Sequence, residues 1–296
     1  MTFGSAARRG GPGDFDARLA RVERLLAAPG GGGGAAGPLA LVASVLRFQA
    51  ARVASPAVVA AAGDVAAGAE LRRAAGRFPL LDLAAGVAPI AAEISPAVAA
   101  IAAAGLPEPL TAAGTALCGG TVKEQEQLVD DWLEDPAGPE PVLCFWVRVA
   151  AGPILEAARA AIATPSRDDW TGAACPACGG AAQLSIIAEE SGEFMGGSPR
   201  SLVCGRCAGS WTFPRAVCAW CGEADPNRLP SFVPDERRAV RIDGCETCGH
   251  YVKTFDFREL GAAELVPLVD DVATVSLDLW AHDQGLARPL VSFAGV

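Results

Sequence analysis

Four Cys-x-x-Cys pairs stand between Cys175 and Cys248: Cys175–Cys178, Cys204–Cys207, Cys218–Cys221 and Cys245–Cys248. Each pair sets two thiols on one side of a tight turn, which is half of a tetrahedral metal site. Two pairs complete a four-cysteine site, so four pairs complete two. A single pair would leave open a thioredoxin-like redox dithiol. Four pairs with matched spacing point to metal instead.

Gaps of 25, 10 and 23 residues separate the pairs, a long-short-long rhythm. Sequential pairing joins Cys175, Cys178, Cys204 and Cys207 in site 1, and Cys218, Cys221, Cys245 and Cys248 in site 2. A cross-brace would interleave them. The first pair recurs 43 residues later and the second 41 later, and Ser210-Trp211-Thr212-Phe213 has a counterpart in Val252-Lys253-Thr254-Phe255. Duplication of a one-metal module favours the sequential arrangement. A tetrahedral set of four sulfurs suits zinc or a mononuclear rubredoxin-type iron. With no non-cysteine ligand neither site offers an open coordination position, so hydrolytic zinc is not expected.

The compartment matters, because cysteines in an oxidising setting would mean disulfides. Arg8-Arg9 is followed by Gly, Pro and Asp rather than by an apolar run, so the N-terminus reads as neither a Sec nor a twin-arginine signal. A cytoplasmic protein with reduced thiols is the expectation. The stretch Ala84 to Pro107 carries only Glu93 as a charge, but Pro89 and Pro96 interrupt it and alanine dominates it. It reads as a buried helix pair rather than a membrane span. A net charge of -10 and a pI near 4.8 argue against nucleic acid.

The chain divides where composition changes. Residues 1–14 read as a flexible tail, and Phe15 to Ala28 as an amphipathic helix with Leu19, Val22, Leu25 and Leu26 on one face. The glycines from Gly30 to Gly34 lack a following Lys-Ser/Thr and read as a flexible linker, not a phosphate loop. Helices are expected near 38–53, 56–76, 82–92, 96–104, 121–134 and 141–162, giving an all-α domain over 15–165. At Thr164–Asp169 the text turns to cysteine, glycine and short β-branched runs such as Leu184–Ile187 and Arg238–Ile242. The first metal module is expected over 166–215, the second over 216–262, and a C-terminal helix and tail over 263–296, with the helix at Glu264–His282 packing back on one domain. The fold class is therefore multidomain: an all-α N-terminal domain, two tandem rubredoxin-like or zinc-ribbon four-cysteine modules with small β-hairpins, and a C-terminal helix.

Outside the cysteine pairs the chemistry is sparse. Cys118 and Cys144 lie in apolar helical text and read as buried structural thiols. His250 follows Cys248 closely and reads as a partly exposed knuckle residue, and His282 as a solvated helix end. Asp130-Asp131 and Asp270-Asp271 read as solvated helix faces. No nucleophile–base arrangement or dinucleotide fingerprint occurs, so no catalytic residue and no enzymatic activity are expected.

The run Leu202-Val203-Cys204-Gly205-Arg206-Cys207 through Trp211, Arg215, Cys218 and Cys221, then Cys245-Glu-Thr-Cys248-Gly249-His250-Tyr251-Val252-Lys253, Asp270-Asp271-Val272-Ala273 and Leu277-Asp278, resembles the bacterial formate dehydrogenase accessory protein FdhE family. The resemblance is specific from Cys175 to about Arg288. It implies a cytoplasmic maturation factor that binds the catalytic subunit of formate dehydrogenase without turning over formate. It also implies a helical N-terminal domain followed by two rubredoxin-like modules, eight cysteine ligands and iron as the native metal, with zinc compatible with the same thiolates. The other readings are a rubredoxin-like electron carrier and a zinc-ribbon nucleic-acid binder.

Overall fold

The computed structural model describes residues 10–135, 138–188, 198–235, 238–259 and 264–295. Residues 1–9 of the expected tail and the expected module boundary at 262/263 lie outside them.

The helical part begins with α1 (Phe15–Ala27), capped by Asp14, whose carboxylate accepts from the Ala17 amide. Gly10–Asp14, expected as tail, are instead tied down. Arg18 donates to the carbonyls of Gly10 and Gly11 and forms a buried pair with Glu156 at 2.6 Å, and the Gly13 amide donates to Glu156. The glycine run after α1 is a tight turn rather than a loose linker. Gly30 to Gly33 all have positive φ, between 53° and 91°, a left-handed path that only glycine follows cheaply, and it folds α2 (Ala36–Val53) back along α1.

Ser55 and Pro56 start α3 (Pro56–Ala66). The expected helix 56–76 breaks at Gly68, with φ 76°, before the short α4 (Ala69–Ala74). The two helices expected over 82–104 are one, α5 (Val87–Ile101), with Pro96 inside it. Ile90, Ile94, Ala97 and Ile101 are buried along that single rod, and this packing holds it together across the proline. The helix α6 (Glu108–Gly119) was not expected; Pro107 and Pro109 at its start are the signal for it. A Thr121–Glu124 capping box opens α7 (Val122–Glu134). The hub is α8 (Pro141–Ala160), buried almost continuously from Trp146 to Arg159. By length and composition 33–53, 84–104 and 141–160 could cross a membrane; in this fold they pack on one another around α8.

The remaining chain forms one six-stranded sheet in the order β3-β2-β1-β6-β5-β4. Its strands are β1 (Ala182–Ile187), β2 (Arg200–Cys204), β3 (Ser210–Thr212), β4 (Ser231–Phe232), β5 (Val240–Gly244) and β6 (Tyr251–Asp256). Each module supplies three antiparallel strands, and the modules meet where β1 and β6 pair in parallel. Val203↔Ser210 in the first module corresponds to Gly244↔Tyr251 in the second, so Trp211 matches Val252. The textual repeat, which aligned Trp211 with Lys253, is therefore one residue out of register. Thr212 and Lys253 therefore share a register position, and Lys253 is buried while Thr212 is not because the segment of Asp271, Thr274 and Asp278 lies over Lys253.

The expected helix 264–282 is two: α9 (Pro267–Ala273) and α10 (Val275–Asp283). They serve both parts of the molecule. Val266, Val269 and Val272 complete a core with Phe15, Val22, Leu39 and Val42, and Ala281 on α10 packs with Ile242 and Tyr251 of the sheet.

Candidate metal centres

All four Cys-x-x-Cys turns fold alike. The first cysteine's amide donates to the carbonyl five residues on, and the amide four residues on donates back to its carbonyl; Cys175 with Gly180 and Gly179 shows this at 2.8 Å for both bonds. The same pair of bonds recurs at Cys204, Cys218 and Cys245. The residue after the second cysteine takes positive φ in each: Gly179, Gly222 and Gly249 at 69–79°, but Ala208 at 54°. A side chain in this region costs about 1–2 kcal/mol. Ala208→Gly is therefore expected to raise the unfolding free energy by about 1 kcal/mol, read as a higher urea midpoint at unchanged slope.

The turns meet in two clusters, Cys175–Cys178–Cys204–Cys207 and Cys218–Cys221–Cys245–Cys248, with the sulfurs of each within 4.8 Å of one another. Grouping is sequential, not interleaved. Separations across the knuckles are 3.7 Å (Cys175–Cys207), 3.5 Å (Cys178–Cys204), 3.8 Å (Cys218–Cys248) and 3.6 Å (Cys221–Cys245). Disulfide sulfurs would stand about 2 Å apart. Four thiolates at about 2.3 Å from a central ion form a tetrahedron with edges of about 3.8 Å, and these distances fit it. Arg206 and Trp220 each donate a backbone N–H to a knuckle sulfur, at 3.3 and 3.4 Å.

The electrostatics fit a cation as well. Burial and neighbouring thiols push Cys175 well above the ordinary range. Hydrogen bonds to the other three thiols, then burial, do the same to Cys207. At Cys204 burial opposes ionisation too, but hydrogen bonds from those three hold it well below. In the second cluster burial lifts Cys218, and lifts Cys248 to about 12, while Cys245 is held low against burial by the Cys248 and Thr247 amides and by Cys221. Two thiols in each tetrad, Cys175 and Cys207 in the first and Cys218 and Cys248 in the second, are thus held back from ionising. Ionising all four requires a bound cation.

The clusters differ in setting. All four cysteines of the first are buried, in the same core as Ile94, Trp132 and Ile154 of the helices. Leu80 and Leu81 donate backbone bonds to Pro176 and Ala177 inside its first knuckle, and Arg206 donates to the carbonyls of Cys178 and Trp132. In the second cluster Cys221 is exposed and Cys248 half-buried. A cavity of about 280 Å³ opens beside it, lined by Cys218, Cys245, Trp220, Arg200 and Arg215. His250 is half-buried there, with its ring 5.1 Å from that of Trp220.

Other sequence readings need correction. Cys118 is exposed and Cys144 half-buried, because α6 turns Cys118 outward and packs Gly114 against Trp146 instead. Asp130-Asp131 and His282 are exposed as expected. Asp270 and Asp271 are buried and paired. Arg21 binds Asp270 at 2.6 Å. Asp271 belongs to a buried network in which Lys253 Nζ lies 2.6 Å from Asp278 and 3.1 Å from Asp271, Arg288 bonds both carboxylates, and Tyr251 donates to Asp278. The individual residues were visible in the sequence, but nothing local signalled that β6, α9, α10 and the tail would bring them together.

These features define a class: a helical domain carrying a sheet with two rubredoxin-type four-cysteine clusters. Residues 218–293 match the family model "FdhE, C-terminal domain". Curated relatives named "Protein FdhE homolog" include one from Aquifex aeolicus, 35% identical over 43% of this chain and 43% of its own length. Another, from Pseudomonas putida, is 33% identical over 39% of this chain and 36% of its own. The matched region thus spans less than half of those relatives. The crystal structure of the FdhE protein from Pseudomonas aeruginosa covers 100% of this chain and 98% of its own, with a TM-score of 0.65 at 19% identity. Residues 218–293 are thus similar to the FdhE C-terminal domain, and the whole chain shares the fold of the Pseudomonas aeruginosa protein.

Proposed function

We propose that this protein is a cytoplasmic accessory factor for formate dehydrogenase that binds the enzyme's catalytic subunit during maturation and turns over no substrate itself. The observation that carries the reading is the FdhE C-terminal match over 218–293, which spans the second cluster and both helices that fasten it to the helical domain. In this reading Cys175, Cys178, Cys204 and Cys207 hold one metal ion and Cys218, Cys221, Cys245 and Cys248 a second. Iron is the ion the family resemblance implies, and zinc satisfies the same geometry. Neither nucleic acid nor membrane insertion enters it.

Anaerobically purified protein is expected to contain two metal ions per chain and to retain the catalytic subunit of formate dehydrogenase on an affinity column. Cells lacking the protein are expected to make that subunit in an inactive form. A subunit that passes the column unretained, or full enzyme activity in those cells, defeats the proposal. A second reading, a rubredoxin-like electron carrier, draws support from the exposed Cys221, which brings the second centre to the surface. A red protein that bleaches on reduction supports it, and a colourless protein with two zinc ions removes it.

A further inference from the structure

The internal repeat sets one edge of the sheet apart. In the first module β1 is flanked on one side by β2 and on the other by β6, which lies parallel to it with Ser185↔Thr254 and Ile186↔Phe255 in register. Ile186 pairs with Ser201, three residues before Cys204; Phe232 pairs with Ile242, three residues before Cys245. Phe232 of β4 thus holds the place in the second module that Ile186 holds in the first. The surroundings differ in one respect: β4 ends the sheet, and no strand among the described residues occupies the side where β1 receives β6. Ile186 is accordingly 7% exposed and Phe232 37%. Val233 beside it is 49% exposed, and the Trp280 ring of α10 lies 5.0 Å from that of Phe232, itself 37% exposed.

We propose that this edge takes a short extended segment of a partner polypeptide, which adds to β4 in parallel as β6 adds to β1 and sets an apolar residue against Phe232 and Trp280. Phe255 fills that position in the first module, which fixes the chemistry of the incoming residue. The proposal rests on the client-binding reading and places the client on this edge. Pro230 and Pro234 bracket the strand and confine backbone pairing to Ser231–Val233, so the apolar side chains supply most of the binding. A second copy of this chain is the poorer occupant. Its equivalent of β6 is β3, where Trp211 is tied to Gly172 by a 3.1 Å hydrogen bond, and β3-on-β4 contacts would run on from copy to copy without closing.

The test uses the full chain and the formate dehydrogenase catalytic subunit. Binding is measured for wild type, Phe232→Lys and, as a surface control on α4, Leu71→Lys, with hydrogen–deuterium exchange on the wild-type complex. Phe232→Lys is expected to weaken binding at least tenfold at unchanged metal content, Leu71→Lys to bind as wild type, and the amides of Ser231–Val233 to exchange more slowly in the complex. Should Phe232→Lys fail to fold, the exchange result on wild type decides alone. Unprotected amides at β4, or undiminished binding by a folded Phe232→Lys, overturn the edge proposal and leave the client reading standing. A wild-type protein that does not bind overturns both. Self-association that Phe232→Lys abolishes overturns it in favour of a second copy.

Discussion

Cys204→Ser is expected to abolish cooperative thermal unfolding of the whole protein, whereas Cys221→Ser removes one metal and leaves the main transition in place. Both substitutions take one sulfur from a cysteine tetrad, so ligand chemistry alone predicts equal effects. Position separates them. Cys204 lies at the end of β2 in the core that also holds Trp132 and Ile154, and its cluster is hydrogen-bonded to Leu80 and Leu81 of the helical part. Structural metal sites contribute about 10–16 kcal/mol of apparent folding free energy in small domains, comparable with the roughly 5–15 kcal/mol that holds most proteins folded. Loss of the ion in this variant would leave three buried thiols and a serine hydroxyl without a cation inside the core. Cys221 faces solvent, and water can reach the vacated position. Circular dichroism melts and metal analysis of the two variants check this. A chelator titration of wild type should also remove the metals in two steps, the ion at Cys221 first. Equal melting losses, or simultaneous extraction, would show that the tetrads are energetically equivalent.

Lys253→Met is expected to cost about 3–5 kcal/mol, the usual penalty for breaking a buried ion pair from one side. Lys253 is fully buried, and its ammonium donates to Asp278 and to the carbonyls of Asp271 and Thr274. With Arg288 it neutralises Asp271 and Asp278; without it one carboxylate charge stays buried and uncompensated. Burial works against ionisation at Asp271, but Arg288 and Lys253 hold it below the usual range. At Asp278 burial prevails and raises it. The substitution should therefore loosen the turn between α9 and α10 and protonate Asp278 more readily. Urea unfolding provides the measurement, with Arg24→Ala as reference: Arg24 is half exposed in its pair with Glu264, where about 1 kcal/mol or less is expected. A Lys253→Met cost no larger than that of Arg24→Ala would mean the network adds nothing beyond its surface counterparts.

Several features were legible because they are local. Thr121 and Glu124 start α7 with a capping box, and Ser55 caps α3 by accepting from the Val58 amide, with Pro56 in its first turn. Elsewhere a distant contact overrode a local signal. Pro96 should divide a helix, but the buried face of α5 runs through it. The Thr-Phe coincidence at 212–213 and 254–255 suggested a register that the strand pairing at Gly244↔Tyr251 does not allow. Asp270-Asp271 has the composition of a solvated face and becomes buried only because Arg21, Lys253 and Arg288 arrive from three separate segments.

The sequence by itself determined the four knuckles, since a Cys-x-x-Cys turn is closed by backbone bonds within six residues, and the internal repeat favoured the sequential grouping that the sulfur positions show. It also set the order of a helical part followed by a cysteine-bearing sheet. Only the tertiary structure decided that one cluster is sealed in the common core while the other reaches solvent, that β1 is covered and β4 open, and that Lys253 rather than Thr212 is buried. Burial is a sum over contacts from segments far apart in the chain, so two tetrads with the same local text take on different exposures according to what the helices and the second module lay over them.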